Sequence, residues 1–105
     1  MLITTTPTIE GQQIKKYIGI VTGETIIGAN AIKDLFASFH DFFGGRTSSY
    51  ESVLREGKNI ALKEMIENAQ QMGANAIVGI DLGYEALGAQ NSMLMVTVSG
   101  TAVVI

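Results

Sequence analysis

Residues 93–105 read Met-Leu-Met-Val-Thr-Val-Ser-Gly-Thr-Ala-Val-Val-Ile, a stretch with no charge from end to end. Its β-branched content marks it as a strand. An uncharged strand at a sheet edge invites aggregation, so this one is expected in the middle of a sheet. Working outward, residues 76–86 (Ala-Ile-Val-Gly-Ile-Asp-Leu-Gly-Tyr-Glu-Ala) form its hairpin partner, with Gly88 to Ser92 as the turn. Residues 14–22 alternate in the β manner, Ile18 and Ile20 against Tyr17 and Val21, and take its other side. Gly23 then reads as a bend or bulge, after which Ile26 and Ile27 carry the strand on to Gly28. At the start of the chain Leu2 to Thr5 is a short extended segment, ended by Pro7.

Two helices lie between these strands. Asn30 is a good N-cap for the first, in which Ile32, Leu35, Phe36, Phe39 and Phe43 recur at helical spacing until Gly44-Gly45 ends the run. Ser48 followed by Glu51 is a capping box for a second, longer helix. Its apolar face reads Tyr50, Val53, Leu54, Gly57, Ala61, Leu62, Met65, Ala69 and Met72, and Gly73 closes it. Gly57 inside a helix costs about 1 kcal/mol relative to alanine, which points to close packing there. The expected fold is α+β: a two-layer β-α-β-β subunit whose antiparallel sheet carries one long helix across a face, with an additional short helix. The opposite face of the sheet is left without an obvious cover.

At 105 residues the chain is a single domain, residues 1–105. Hydrophobic residues make up 47% and charged residues only 16%, and the mean hydropathy is +0.29. So small a core cannot hide that much apolar material, and a homo-oligomer is the expected way to cover it. The net charge of −3 and seven scattered basic residues argue against nucleic acid. Met1 to Glu10 lacks the basic start of a signal peptide. The uncharged run 86–105 is interrupted by Gln90, Asn91 and Ser92, which argues against a membrane span. A cytoplasmic location is the expectation.

Chemistry is sparse. There is no cysteine and one histidine, so thiolate nucleophiles, disulfides and four-ligand zinc sites are excluded within a chain. No Ser–His–acid constellation is visible, and the chain is not expected to be an enzyme. His40, between apolar positions of the phenylalanine-rich helix, reads as a surface or interface residue and as one weak candidate metal ligand. Asp81 and Glu85 share a strand face with Gly83 between them, but their α-carbons are about 13 Å apart, so one ion would need ligands from another subunit. Met93 and Met95 offer thioethers, though methionines on a strand are far more often packing material. The most site-like stretch is Gly44-Gly45-Arg46-Thr47-Ser48-Ser49, where a guanidinium and hydroxyls precede a helix N-terminus that favours anions. Arg46, Ser48 and Ser49 are its candidate ligand-binding residues. The reading placed ahead of this one is a plain helix–helix connection in which Arg46 bridges to a carboxylate such as Glu51. Phe36, Phe39, Phe42 and Phe43 surround their helix more widely than one core stripe requires, so Phe42 and Phe43, with Arg46 and Glu51, are expected at a subunit interface.

Several short stretches occur in a telling order: Thr4-Thr5-Thr6-Pro7, Gly28-Ala29-Asn30, Gly44-Gly45-Arg46, Tyr50-Glu51, Gly73-Ala74-Asn75-Ala76-Ile77-Val78-Gly79, Met93-Leu94-Met95-Val96 and Ser99-Gly100-Thr101-Ala102-Val103. Together they resemble the YbjQ-like family of small bacterial proteins, labelled heavy-metal-binding and without an established activity. The resemblance implies a dodecin-like subunit and a closed ring, a homopentamer. It also marks departures: His40 where an arginine is usual, Gly57 where alanine is typical, and Asp81-Leu82-Gly83-Tyr84-Glu85 where the pattern is Asp-x-Asp-Tyr-Glu. One carboxylate of that motif is therefore missing. Two functional readings follow: a non-enzymatic homo-oligomer binding a metal ion between subunits, or a module binding a small anion at Gly44–Ser49.

Overall fold

A computed structural model describes residues 1–28, 46–88 and 93–105, with the side chains of 46–50 outside that description. Among the described residues the elements are β1 (Leu2–Ile3), β2 (Lys16–Ile27), α1 (Arg46–Gln71), β3 (Ala76–Leu87) and β4 (Met93–Val104). They form one four-stranded sheet in the order β1-β3-β4-β2. The uncharged strand β4 is central, with β3 and β2 antiparallel on either side.

The sheet is mixed, not purely antiparallel. β1 pairs with β3 in parallel, Leu2 opposite Ala76 and Ile3 opposite Ile77. The coil after β1 continues the contact, since Gly79 N–H donates to the Thr6 carbonyl (2.8 Å) and Ile80 N–H to the Thr4 carbonyl (3.1 Å). A two-residue strand is too short to declare a partner by its own pattern, so its direction is set by where the rest of the N-terminal segment packs.

That segment lies on the sheet face away from the helix. Ile9, Ile14 and Ile105 pack against the buried Ala76, Val78 and Val103 in a small second core. Asn75 fastens it. Its Nδ2 donates to the Ile105 carbonyl (3.0 Å), and its Oδ1 accepts from the Ile105 N–H (2.8 Å).

The main core lies on the other face, where α1 lays Ala61, Met65 and Ala69 over Val21, Val96 and Val98. Two glycines set how closely the layers approach. A Cβ on Gly57 would fall 2.8 Å from Val96 Cγ2 and 2.9 Å from Ile27 Cδ1, the close packing expected from its cost in a helix. Gly23 is a correction. Strand β2 runs through it without a bulge, paired to Val98, and the register shift falls between Tyr17 and Gly19 instead. Gly23 serves close approach: a Cβ there would run into the Ala61 carbonyl and stand 2.7 Å from Met65 N.

The helix ends as expected. Gly73, with φ +88°, is followed by a bond from Ala74 N–H to the Ala69 carbonyl (3.0 Å), the Schellman arrangement. Its start differs from expectation. α1 begins at Arg46, so Ser48 and Ser49 are already helical and Ser48 is not the N-cap. The expected short first helix lies outside the described residues.

Candidate functional site

β4 carries the alternation that sorts the side chains. Val96, Val98 and Ala102 face the helix and are buried, while Met95, Thr97, Ser99 and Thr101 face the other way and are partly open. The register then arranges the outer face in rows across three strands. Thr22, Ser99 and Asp81 form one row, Glu24, Thr97 and Gly83 the next, and Ile26, Met95 and Glu85 the third. A Cβ on Gly83 would stand 2.8 Å from Thr97 Oγ1, which fixes the face to which this position belongs.

Asp81 and Glu85 are both exposed, so the strand places them as read from the sequence. They remain two rows apart. Glu24, the nearest further carboxylate by register, is separated from them by the width of β4, roughly 10 Å from strand to strand. Among the described residues no group of three or more His, Asp or Glu side chains is placed to hold a metal ion. Among the described residues of one chain, the donor set does not fit a metal.

The remaining expected site residues divide in two. His40, Phe42 and Phe43 lie outside the described residues. Arg46, Ser48 and Ser49 occupy the first turn of α1, their side chains outside the description, and Glu51 is exposed one turn further on. Sequence reading passed over Glu24. The signal was the period of two in Ile20, Thr22, Glu24 and Ile26, which a break assumed at Gly23 concealed.

All 105 positions, residues 1–105, match the YbjQ family model, whose description is "Putative heavy-metal-binding". The chain belongs to the YbjQ family. Among solved structures, this YbjQ-family chain is similar to a protein of unknown function from Pediococcus pentosaceus ATCC 25745 that belongs to the DUF74 family. The identity is 20%, the match covers 100% of this chain and 97% of the other, and the TM-score is 0.54. At that identity the likeness shows the fold alone. No helix among the described residues of the YbjQ-family chain is long and apolar enough to cross a membrane.

Proposed function

We propose that this chain is a non-enzymatic subunit of a homo-oligomer that holds a divalent metal ion between neighbouring subunits, with Asp81 and Glu85 among the ligands. The observation that carries the reading is the placement of these two carboxylates. Both are exposed on the outer face, flanking Gly83, on a stretch of β3 that has no neighbour on its far side among the described residues. Too far apart to chelate one ion alone, they are half of a site, and a second chain supplies the rest. Ile20 (81% exposed), Tyr17 and Ile26 (60%) line β2 as uncovered apolar side chains, which favours assembly. The family description favours a metal, and carboxylate oxygens favour a hard divalent cation over a thiophilic one. A closed ring of five is the assembly that the family resemblance favours.

Light scattering at micromolar concentration is expected to give several times 11.2 kDa; a folded monomer would overturn the assembly. Calorimetry with manganese is expected to show binding that weakens about tenfold or more in Asp81→Asn and in Glu85→Gln at unchanged mass. Unchanged affinity would remove these carboxylates from the site. The second reading, a small anion held by Arg46, Ser48 and Ser49, is favoured by a first helical turn that opens on Arg46 and carries no acidic residue. Sulfate binding lost in Arg46→Ala at unchanged mass would support it.

A further inference from the structure

Residues 1–14 hold to the rest of the molecule lightly. None of them is buried, and only Ile3, Thr4, Ile9 and Ile14 are half-buried. Ile3 packs against the main core, and Ile9 and Ile14 lie over the second one. The backbone bonds of Leu2 to Thr6 all run to one short stretch of β3. Leu2 and Ile3 pair with Ala76 and Ile77, and Thr4 N–H donates to the Ile77 carbonyl (3.0 Å). Gly79 and Ile80 donate back to the Thr6 and Thr4 carbonyls. Beneath this thin cover Ala76 and Val78 are buried.

β3 is shaped to receive this segment. Its register against β4 passes from Val78–Thr101 to Asp81–Ser99, so Gly79 and Ile80 together stand against the single Gly100. Gly79, at φ +62°, makes the bulge, and both amides turn away from β4 to carbonyls of the N-terminal segment. The segment also keeps a shape of its own. Thr6 N–H donates to Thr4 Oγ1 (3.2 Å), and Thr6 Oγ1 donates to the Thr8 carbonyl (2.6 Å). With the Thr6 hydroxyl proton used there, Thr4 Oγ1 is the donor in its 2.9 Å contact with Thr6 Oγ1. Gly11, at φ +81°, turns the chain inside the Ile9–Gln12 bridge. Beyond it the Lys15 N–H donates to the Val104 carbonyl (2.8 Å), which holds the chain in the sheet. β3 does not depend on the segment: it pairs with β4 from Ala76 to Leu87 and sets Ile77 and Ile80 in the main core.

We infer that Leu2 to Glu10 is a strap that opens and closes as one unit, hinged at Gly11, while the sheet and helix stay folded. Segments with few buried contacts and few bonds open at free energies well below that of global unfolding. The bonds among Thr4, Thr6 and Thr8 lie within the strap and travel with it. Closed, the strap blunts the edge of β3 and hides Ala76 and Val78. Open, it frees the amides of Gly79 and Ile80 together and bares an apolar strip beside the strand edge from Ala76 to Ile80. That edge is thus offered only in a minor state of the chain. The device belongs to a single chain, so it stands or falls apart from the metal site and the assembly proposed above.

Hydrogen exchange on the full chain, read amide by amide, tests this. Gly79 and Ile80 are expected to share one protection factor, at least about a hundredfold below that of Val96 and Val98. Urea is expected to leave it nearly flat, since opening the strap exposes little surface. A lock identifies the strap as the moving part. The chain has no cysteine, and Leu2 and Ala76 stand opposite one another at a strand spacing of about 4.8 Å, within the reach of a disulfide. Oxidised Leu2→Cys/Ala76→Cys is expected to slow exchange at Gly79 and Ile80 about tenfold or more, and dithiothreitol to restore it. Where that bond does not form, Ile9→Ala is the second variant, expected to speed both amides about tenfold while Val96 and Val98 hold. Protection at Gly79 and Ile80 equal to that of Val96 and Val98 overturns the inference, because the segment then leaves only with the whole fold. No protection at either amide overturns it as well, because the strap is then never closed. So does fast exchange that the formed lock, or Ile9→Ala in its place, leaves unmoved.

Discussion

The two ends of the outer sheet face are built from the same three strands and covered in opposite ways. At one end Ala76, Val78 and Val103 are sealed beneath Ile9 and Ile14, and Asn75 fastens the chain's last residue there. At the other end Ile26, Met93 and Glu85 stand open. The outer face is apolar at the first end and mixed at the second, where Ile26 and Met95 share a row with Glu85; the N-terminal segment covers only the first end, and α1 lies on the opposite side. A buried face of this kind contributes stability to the single chain, whereas an open one contributes on association.

One substitution made at both ends tests the difference most severely. Val103→Lys places an unpaired charge in the sealed end and is expected to cost at least about 3 kcal/mol in urea unfolding at fixed protein concentration. Ile26→Lys, on the same face, is expected to change the stability of the unassembled chain by no more than about 0.5 kcal/mol. Similar losses for both in the unassembled chain would erase the distinction between the ends. A smaller effect is expected from the clamp. Asn75→Ala removes both side-chain hydrogen bonds to Ile105, at a cost of about 1–3 kcal/mol, and hydrogen exchange is expected to speed up at Ile105 while the amides of Val96 and Val98 stay protected. Equal acceleration throughout β4 would mean that the N-terminal segment and the helix face unfold as one unit.

The open end was also the harder one to read from sequence. Centrality of β4 followed from its lack of charge, and Gly57 and Gly73 announced close packing and a helix end, because each of these rests on one dominant physical cause. Gly23 did not, since a glycine within a strand signals either a bulge or a close approach and only the helix above it decides. Taking it as a break removed Glu24 from the row that it shares with Thr97 and Gly83. Asp81 and Glu85 were legible as a pair on one face because strand alternation alone places them. β1 was legible as extended but not as parallel, and the helix start at Arg46 was masked by a capping-box pattern two residues later.

A small change in stability is also expected from restoring the missing carboxylate. Gly83→Asp adds a side chain on the outer face at the open end, where, among the described residues, the close neighbour of its Cβ is Thr97 Oγ1 at 2.8 Å. A threonine rotamer change relieves that contact at a cost of about 1 kcal/mol, offset by the conformational freedom that glycine no longer loses on folding. Net stability is therefore expected to move by less than about 1 kcal/mol in either direction. Cation binding is expected to move more. The new carboxylate stands in the row between Asp81 and Glu85, so the half-site gains a third anionic ligand, and manganese affinity measured by calorimetry on the assembled protein is expected to tighten about tenfold. Without metal, three carboxylates on one strand face repel, so the variant's thermal stability is expected to depend on added manganese more steeply than the wild type's. Unchanged affinity in Gly83→Asp would move the metal off the open end altogether, leaving that surface as subunit contact alone.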